Sequence, residues 1–154
     1  MAFLPSLDDR TDFKALNRRW PYLTGPVHAL SKRLYNSKVV SKRDAAIIFT
    51  YCAGLNGCSY CYTRHSTKLE RAGVPKAVME ALLRDIDSAP VEEKLKPVLK
   101  LCKTLTLQPS RVTQAEVDAV LAAGWGEKAY YVIVSICAQS NYITRITSAH
   151  GLGA

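Results

Sequence analysis

Apolar residues recur along most of the chain at helical spacing, and Gly and Pro separate the repeats. The clearest stripe, at i, i+4, i+7, i+11 and i+14, consists of Val91, Leu95, Val98, Cys102 and Leu105. Such a stripe is typical of a helix that packs on one side. The final segment, about 127–149, is rich in Tyr, Val and Ile, and its length without internal Gly or Pro favours a buried helix over a strand.

Start and stop signals define two consecutive helices in the middle of the chain. Ser41, with Asp44 three residues later, has the spacing of an N-terminal cap before a mostly apolar run. The Asn56-Gly57 pair predicts a turn at the end of that run. A second helix is then predicted from about Cys58 to residue 72, with Gly73 ending it.

The Gly25-Pro26 pair predicts the beginning of an earlier helix, because proline fits the first helical turn. No linker, repeat or low-complexity tract divides the chain. We therefore expect an all-α, single-domain bundle of six or seven helices over residues 21–154, preceded by an N-terminal arm over residues 1–20.

Length and composition fit an ordinary globular domain. The chain has 154 residues, of which 48% are hydrophobic, enough for a core that needs no disulfides. No apolar run is long enough to cross a bilayer, and the first ten residues lack the basic and apolar regions of a secretory signal. We expect a cytoplasmic protein without a membrane partner.

The chain is basic, with a formal net charge of +8, and much of the excess lies between Arg18 and Arg43. A nucleic-acid-binding protein would add a recognisable motif or a stacking platform to such a patch, and none is found. The sequence therefore predicts a solvated basic face and no nucleic-acid partner, with docking of an acidic protein partner as the second interpretation.

The most informative pattern is Cys58-x-x-Cys61-x-x-x-His65. On a helix these positions, i, i+3 and i+7, lie along one stripe. Cys58 stands at the helix N-terminus, where free N–H groups and the helix dipole favour a thiolate. A nucleophilic thiol, a second thiol and a proton carrier are what a dithiol–disulfide cycle requires, so the pattern predicts a thiol redox site.

Other interpretations of the same residues are weaker. A zinc site would need a fourth ligand, and no second CxxC or HxxxH supplies one. A c-type haem needs His directly after the second Cys, where Tyr62 stands instead. In a third, purely structural interpretation, the motif consists of two core cysteines and a surface histidine, and their spacing is a coincidence. The three remaining cysteines, Cys52, Cys102 and Cys137, are predicted to be buried thiols.

The segment 41–73 resembles the alkylhydroperoxidase D-like (AhpD-like) group of the carboxymuconolactone decarboxylase superfamily. Its signature, an apolar helix followed by A-L-N-x-C-x-x-C-x-x-x-H, is similar to the stretch from Gly54 to His65. Weaker similarities to the peroxidase-related branch extend the resemblance over most of the chain beyond about residue 20, including Asn141 and Arg145 before Gly151.

The resemblance implies an all-α fold, trimers or hexamers, and thiol peroxidase or disulfide-reductase chemistry without a metal or organic cofactor. Carried over from the family, Cys61 attacks the peroxide, Cys58 resolves the sulfenic acid, and His65 relays protons. The helix-dipole argument instead makes Cys58 the thiol of lower pKa. The implied partners are a hydroperoxide substrate and a dithiol electron donor such as a lipoyl or thioredoxin-like protein.

One position departs from the family's pattern. The family's relay includes a Glu twelve residues before the first Cys, and Ala46 occupies that position here. Asp44 is the nearest carboxylate, but it lies two residues before Ala46, which places it about 200° around the helix from that position.

The function expected from the motif and the resemblance is antioxidant hydroperoxide or disulfide reduction. The alternatives are a weakened, redox-sensing or interaction protein on the same fold and, less favoured, decarboxylase-type activity, because that branch lacks the paired cysteines.

Overall fold

The computed structural model of this chain describes residues 3–7 and 11–152. These residues form eight α-helices and one short 3-10 helix. In chain order the α-helices are α1 (Phe13–Arg19), α2 (Pro21–Tyr35), α3 (Lys42–Leu55), α4 (Ser59–Arg71), α5 (Lys76–Arg84), α6 (Leu95–Leu107), α7 (Gln114–Ala122) and α8 (Glu127–Ala149). The described residues contain no strand, which confirms the all-α class. The predicted count of six or seven helices is too low.

The additional helix, α1, lies within the predicted N-terminal arm. The Asp12 side chain caps it by accepting a hydrogen bond from the Ala15 backbone amide at 2.7 Å. The predicted start of the next helix at Gly25-Pro26 is wrong, since α2 begins at Pro21 and contains Pro26. Pro21 occupies the first helical position, where a missing N–H costs nothing, so the helix can start one turn earlier.

Helix α3 is the centre of the bundle and contacts α2, α4, α5, α6 and α8. Nine of its residues, Asp44–Ala45 and Ile47–Ala53, are buried. Its N-terminus is capped as predicted, because the Ser41 hydroxyl accepts a hydrogen bond from the Asp44 amide at 3.0 Å. The helix therefore offers neighbours on several sides a rigid apolar surface.

The turn between α3 and α4 fixes where the CxxC begins. Gly57 has φ of +64°, a left-handed conformation that residues with a side chain rarely adopt. The Asn56 side-chain amide donates hydrogen bonds to Asn141 Oδ1 and Thr144 Oγ1 of α8, each at 3.0 Å. The predicted Asn-Gly turn is thus tied to α8, and it places Cys58 at the N-cap of α4.

No helix among the described residues is long and apolar enough to cross a membrane.

Candidate active site

Helix α4 places both CxxC thiols in the interior of the protein. Cys58 is its N-cap residue and Cys61 lies in its first turn, and their exposed fractions are 4% and 2%. The two residues pack with Ala53 of α3 in a small apolar cluster that also contacts Ile143 of α8. The site is thus held by three helices.

A cavity of about 1060 Å³ lies beside this cluster, and residues of α1, α2, α3, α4 and α8 form its wall. Of the three residues that the spacing predicts on one stripe, Cys61 and His65 are part of the wall, whereas Cys58 is not. The wall also includes Phe49 and Ile143, and it is mostly apolar. A molecule in the cavity would therefore meet Cys61 before Cys58.

The pKa values of the two thiols are shifted in opposite directions. The Cys61 thiol donates a hydrogen bond to the Cys58 sulfur, which lowers the pKa of Cys58 to about 6, against the opposing effect of burial. The same hydrogen bond, together with burial, raises the pKa of Cys61. Within the pair, a thiolate is therefore favoured on Cys58 over Cys61. The direction agrees with the helix-dipole prediction for Cys58.

Helix α8 adds a residue to the site that the motif did not reveal. The Sγ atom of Cys61 lies 3.6 Å from Oγ1 of Thr147, and that hydroxyl donates to the Ile143 carbonyl at 2.8 Å. Thr147 therefore offers the Cys61 thiol a second acceptor. The sequence contained a signal for it, because Ser140, Thr144 and Thr147 form a polar i, i+4, i+7 stripe on an otherwise apolar helix.

His65 is a neutral histidine next to the cavity. Its ring centroid lies 4.4 Å from that of Phe49, at an interplanar angle of 36°. Burial, together with the positive charges of Lys68 and Arg64, lowers the pKa of His65 to about 4. Above about pH 5 the imidazole is thus neutral, with one nitrogen able to accept a proton and the other able to give one up.

The position of the missing carboxylate faces this site. Ala46 of α3 is part of the cavity wall that contains Cys61 and His65. Asp44 is buried elsewhere, and its carboxylate accepts a hydrogen bond from the Ser41 hydroxyl at 2.8 Å. Asp44 is not part of the wall, so it does not replace the absent Glu.

The other three cysteines meet in the core, as predicted for buried thiols. Cys52, Cys102 and Cys137 come from α3, α6 and α8, their sulfur atoms lie within 4.8 Å of one another, and the Cys52 and Cys137 sulfurs are 3.6 Å apart. Among the described residues, this is the group of three whose donor atoms are close enough for a metal ion. The zinc interpretation of Cys58, Cys61 and His65 gains no support.

The lowered pKa of Cys58 predicts how the thiolate absorbance of the protein varies with pH. In wild type we expect a rise with a midpoint near pH 6, because Cys58 loses its proton there, and this step should be absent in Cys58→Ala. In Cys61→Ala the donor is lost, and the midpoint should move up toward the ordinary value of about 8.5. A midpoint that stays unchanged in Cys61→Ala would contradict the hydrogen bond as its cause.

Comparisons with solved structures identify the fold. A peroxidase-related protein with an AhpD core from Ralstonia eutropha JMP134 superposes with a TM-score of 0.81 at 16% identity, over 90% of this chain and 73% of that one. A putative antioxidant defence protein AhpD from Agrobacterium tumefaciens gives 0.80 at 16% identity, over 88% and 92% of the two chains. A debrominase bound to 2,3,4-tribromopyrrole gives 0.77 at 18% identity, over 88% and 72%.

The chain therefore has the AhpD-like fold, as the motif predicted. No protein-family model and no curated protein sequence matches it. At identities this low the likeness concerns the fold, so function must be argued from the site itself.

Proposed function

We propose that this chain is a thiol-dependent reductase of organic hydroperoxides that cycles Cys58 and Cys61 between dithiol and disulfide. The observation that carries the proposal is the arrangement around Cys61. Its thiol is hydrogen-bonded to a sulfur of lowered pKa and lies on the wall of an apolar cavity, which it shares with the neutral His65.

The first step uses the proton shared by the two thiols. When that proton moves from Cys61 to Cys58, a Cys61 thiolate is left at the cavity wall. It attacks the terminal oxygen of the hydroperoxide, so an S–O bond forms and the O–O bond breaks. The products are Cys61 sulfenic acid and an alkoxide, which takes the proton from Cys58 to become an alcohol. Sulfur is oxidised and the peroxide is reduced.

The second step closes the disulfide. The Cys58 thiolate attacks the Cys61 sulfur, the S–S bond forms, and hydroxide leaves. The neutral His65 can pass one proton from solvent to that hydroxide, giving water. The balance is one thiolate, one thiol, one hydroperoxide and one proton in, and one disulfide, one alcohol and one water out. An external dithiol, itself oxidised to a disulfide, then restores the reduced site.

Stopped-flow oxidation of the reduced protein by cumene hydroperoxide tests the proposal. We expect two thiols per chain to be lost for each molecule of cumyl alcohol formed, and dithiothreitol to restore them. Cys102→Ala is the control, because it removes a buried thiol outside the site. Slow oxidation that spreads over all the cysteines without turnover would refute the reductase and favour the alternative of a redox-sensing protein.

The absent Glu gives a separate prediction. Because Ala46 is part of the same wall as Cys61 and His65, Ala46→Glu should place a carboxylate where it can exchange a proton with the site. We expect the rate of Cys61 oxidation to rise at least about tenfold, a barrier change of roughly 1.4 kcal/mol. Stopped-flow kinetics measure the rate.

Ala46→Gln is the matched control, since it has the same length but cannot carry the proton. Ala46 is half-buried, and burying a carboxylate there without partners can cost several kcal/mol, so thermal melts must accompany the kinetics. If Ala46→Glu stays folded and is no faster than Ala46→Gln, a carboxylate at this position is not what limits the rate.

A further inference from the structure

The cavity has an apolar interior and a positively charged opening. Phe49, Cys61 and Leu69 belong to its wall and are each only 2% exposed. The wall also contains basic side chains from three helices, all of them on exposed residues: Lys14, Arg18, Lys42, Arg43, Arg64 and Lys68. The apolar part therefore adjoins the thiol, and the positive charges adjoin solvent.

No carboxylate balances these charges within the cavity wall as far as the chain is described, since its 25 residues include no Asp or Glu. Arg43 forms a salt bridge with Glu92 at 3.6 Å, and the Arg64 guanidinium donates to the Tyr60 hydroxyl at 3.1 Å. Among the described residues, Lys14, Arg18 and Lys42 have no salt-bridge partner. Cations that surround an apolar opening without anions of their own attract a negatively charged ligand.

Part of the basic stretch noted in the sequence adjoins the cavity. Arg18, Lys42 and Arg43 belong to the basic stretch noted in the sequence, and all three are part of the cavity wall. The stretch adjoins the cavity because α1, α2 and the start of α3 form its wall together with α4.

The shape of the site selects a small ligand over an acidic protein. A volume of about 1060 Å³ lies at the upper end of ordinary small-molecule pockets, which run from about 300 to 1,000 Å³. A protein surface could touch the exposed cations, but Cys61 is 2% exposed and needs a ligand that enters the cavity. An extended apolar chain can enter, while a charged head group stays with the cations.

We propose that the substrate of this site is an amphipathic anion, the hydroperoxide of a long-chain carboxylic acid. Its carboxylate lies at the basic opening of the cavity, and its chain lies in the apolar interior beside Cys61. This inference rests on the proposed function for the hydroperoxide, but binding of the anion itself does not depend on it. The reaction is the one written above, with the acyl chain as the organic group and the corresponding hydroxy acid as the alcohol.

Calorimetric titration of the reduced protein with decanoate and with decanol tests the binding directly, without a peroxide. We expect decanoate to bind at least about tenfold more tightly at low salt, because only decanoate pairs with the cations, and the difference should shrink as salt is added. The double variant Arg18→Gln, Lys42→Gln should weaken decanoate binding about tenfold and leave decanol binding unchanged. Lys103→Gln, Lys128→Gln is the matched control, since both residues are exposed and lie outside the cavity wall.

A kinetic comparison completes the test. The hydroperoxide of an unsaturated fatty acid should oxidise Cys61 at least about tenfold faster than its methyl ester at limiting concentrations, and the double variant should abolish the difference. If decanoate binds but neither hydroperoxide reacts, the anion site stands and the proposed function fails. If both hydroperoxides react equally fast and decanoate binds no better than decanol, the reductase stands and the anion site is refuted.

Discussion

Replacing Cys61 by Ala should lower the rate of hydroperoxide reduction by at least about 10³-fold, the largest effect expected of any single change in this chain. Cys61 is the thiol on the cavity wall, and Cys58 is not part of that wall. Without Cys61, no sulfur is placed to attack a hydroperoxide in the cavity, although Cys58 can still ionise. Consumption of a dithiol donor at saturating hydroperoxide measures the rate.

Cys58→Ala separates the two roles. It should retain Cys61 and stop after the first oxidation, so that a sulfenic acid accumulates and forms an adduct with dimedone on Cys61, detectable by mass spectrometry. The pKa of Cys61 should also be lower in this variant than in wild type, because the Cys58 sulfur that raises it is removed. A dimedone adduct on Cys58 in Cys61→Ala, with turnover near that of wild type, would show that the roles are reversed.

His65→Ala should slow thiol oxidation near neutral pH by about 10²-fold, the lower end of what a positioned proton carrier contributes. Its pKa of about 4 makes the imidazole neutral throughout the range from about pH 6 to pH 8, so the loss should be the same across that range. Stopped-flow kinetics at several pH values measure it.

The chain offers a matched control for His65. His28 is also part of the cavity wall, and its Nε2 lies 2.9 Å from the side-chain nitrogen of Asn17, but it belongs to α2, away from the CxxC helix. His28→Ala should leave the oxidation rate within about twofold of wild type. If the two variants lose the same factor in oxidation rate, both histidines act only by shaping the wall. If His65→Ala leaves the rate unchanged, the role of His65 is structural.

Local signals in the sequence predict the helix that carries the thiols. The Ser41 cap, the Asn56-Gly57 turn and the i, i+3, i+7 spacing each depend on residues a few positions apart, and local backbone geometry decides them. The same logic failed at Gly25-Pro26, because Pro21 provided an earlier start that no apolar pattern distinguishes.

The cavity could not be predicted in this way. Its wall joins Lys14, Ala46, Cys61 and Ile143, which are far apart in the sequence and meet only when α1, α3, α4 and α8 pack together. The division of protons between the thiols likewise depends on a hydrogen bond whose geometry the motif leaves open. The sequence therefore indicates the candidate residues, and tertiary packing decides which of the two thiols lies on the cavity wall. The oligomeric state and the electron donor stay predictions of the resemblance.

Whether Cys58 and Cys61 form the redox-active pair is tested by mapping the disulfides of the mildly oxidised protein by mass spectrometry. We expect one disulfide, between Cys58 and Cys61, which dithiothreitol reverses, with Cys102 remaining a free thiol. A disulfide between Cys52 and Cys137, whose sulfurs lie 3.6 Å apart in the core, with Cys58 and Cys61 still reduced, would contradict it.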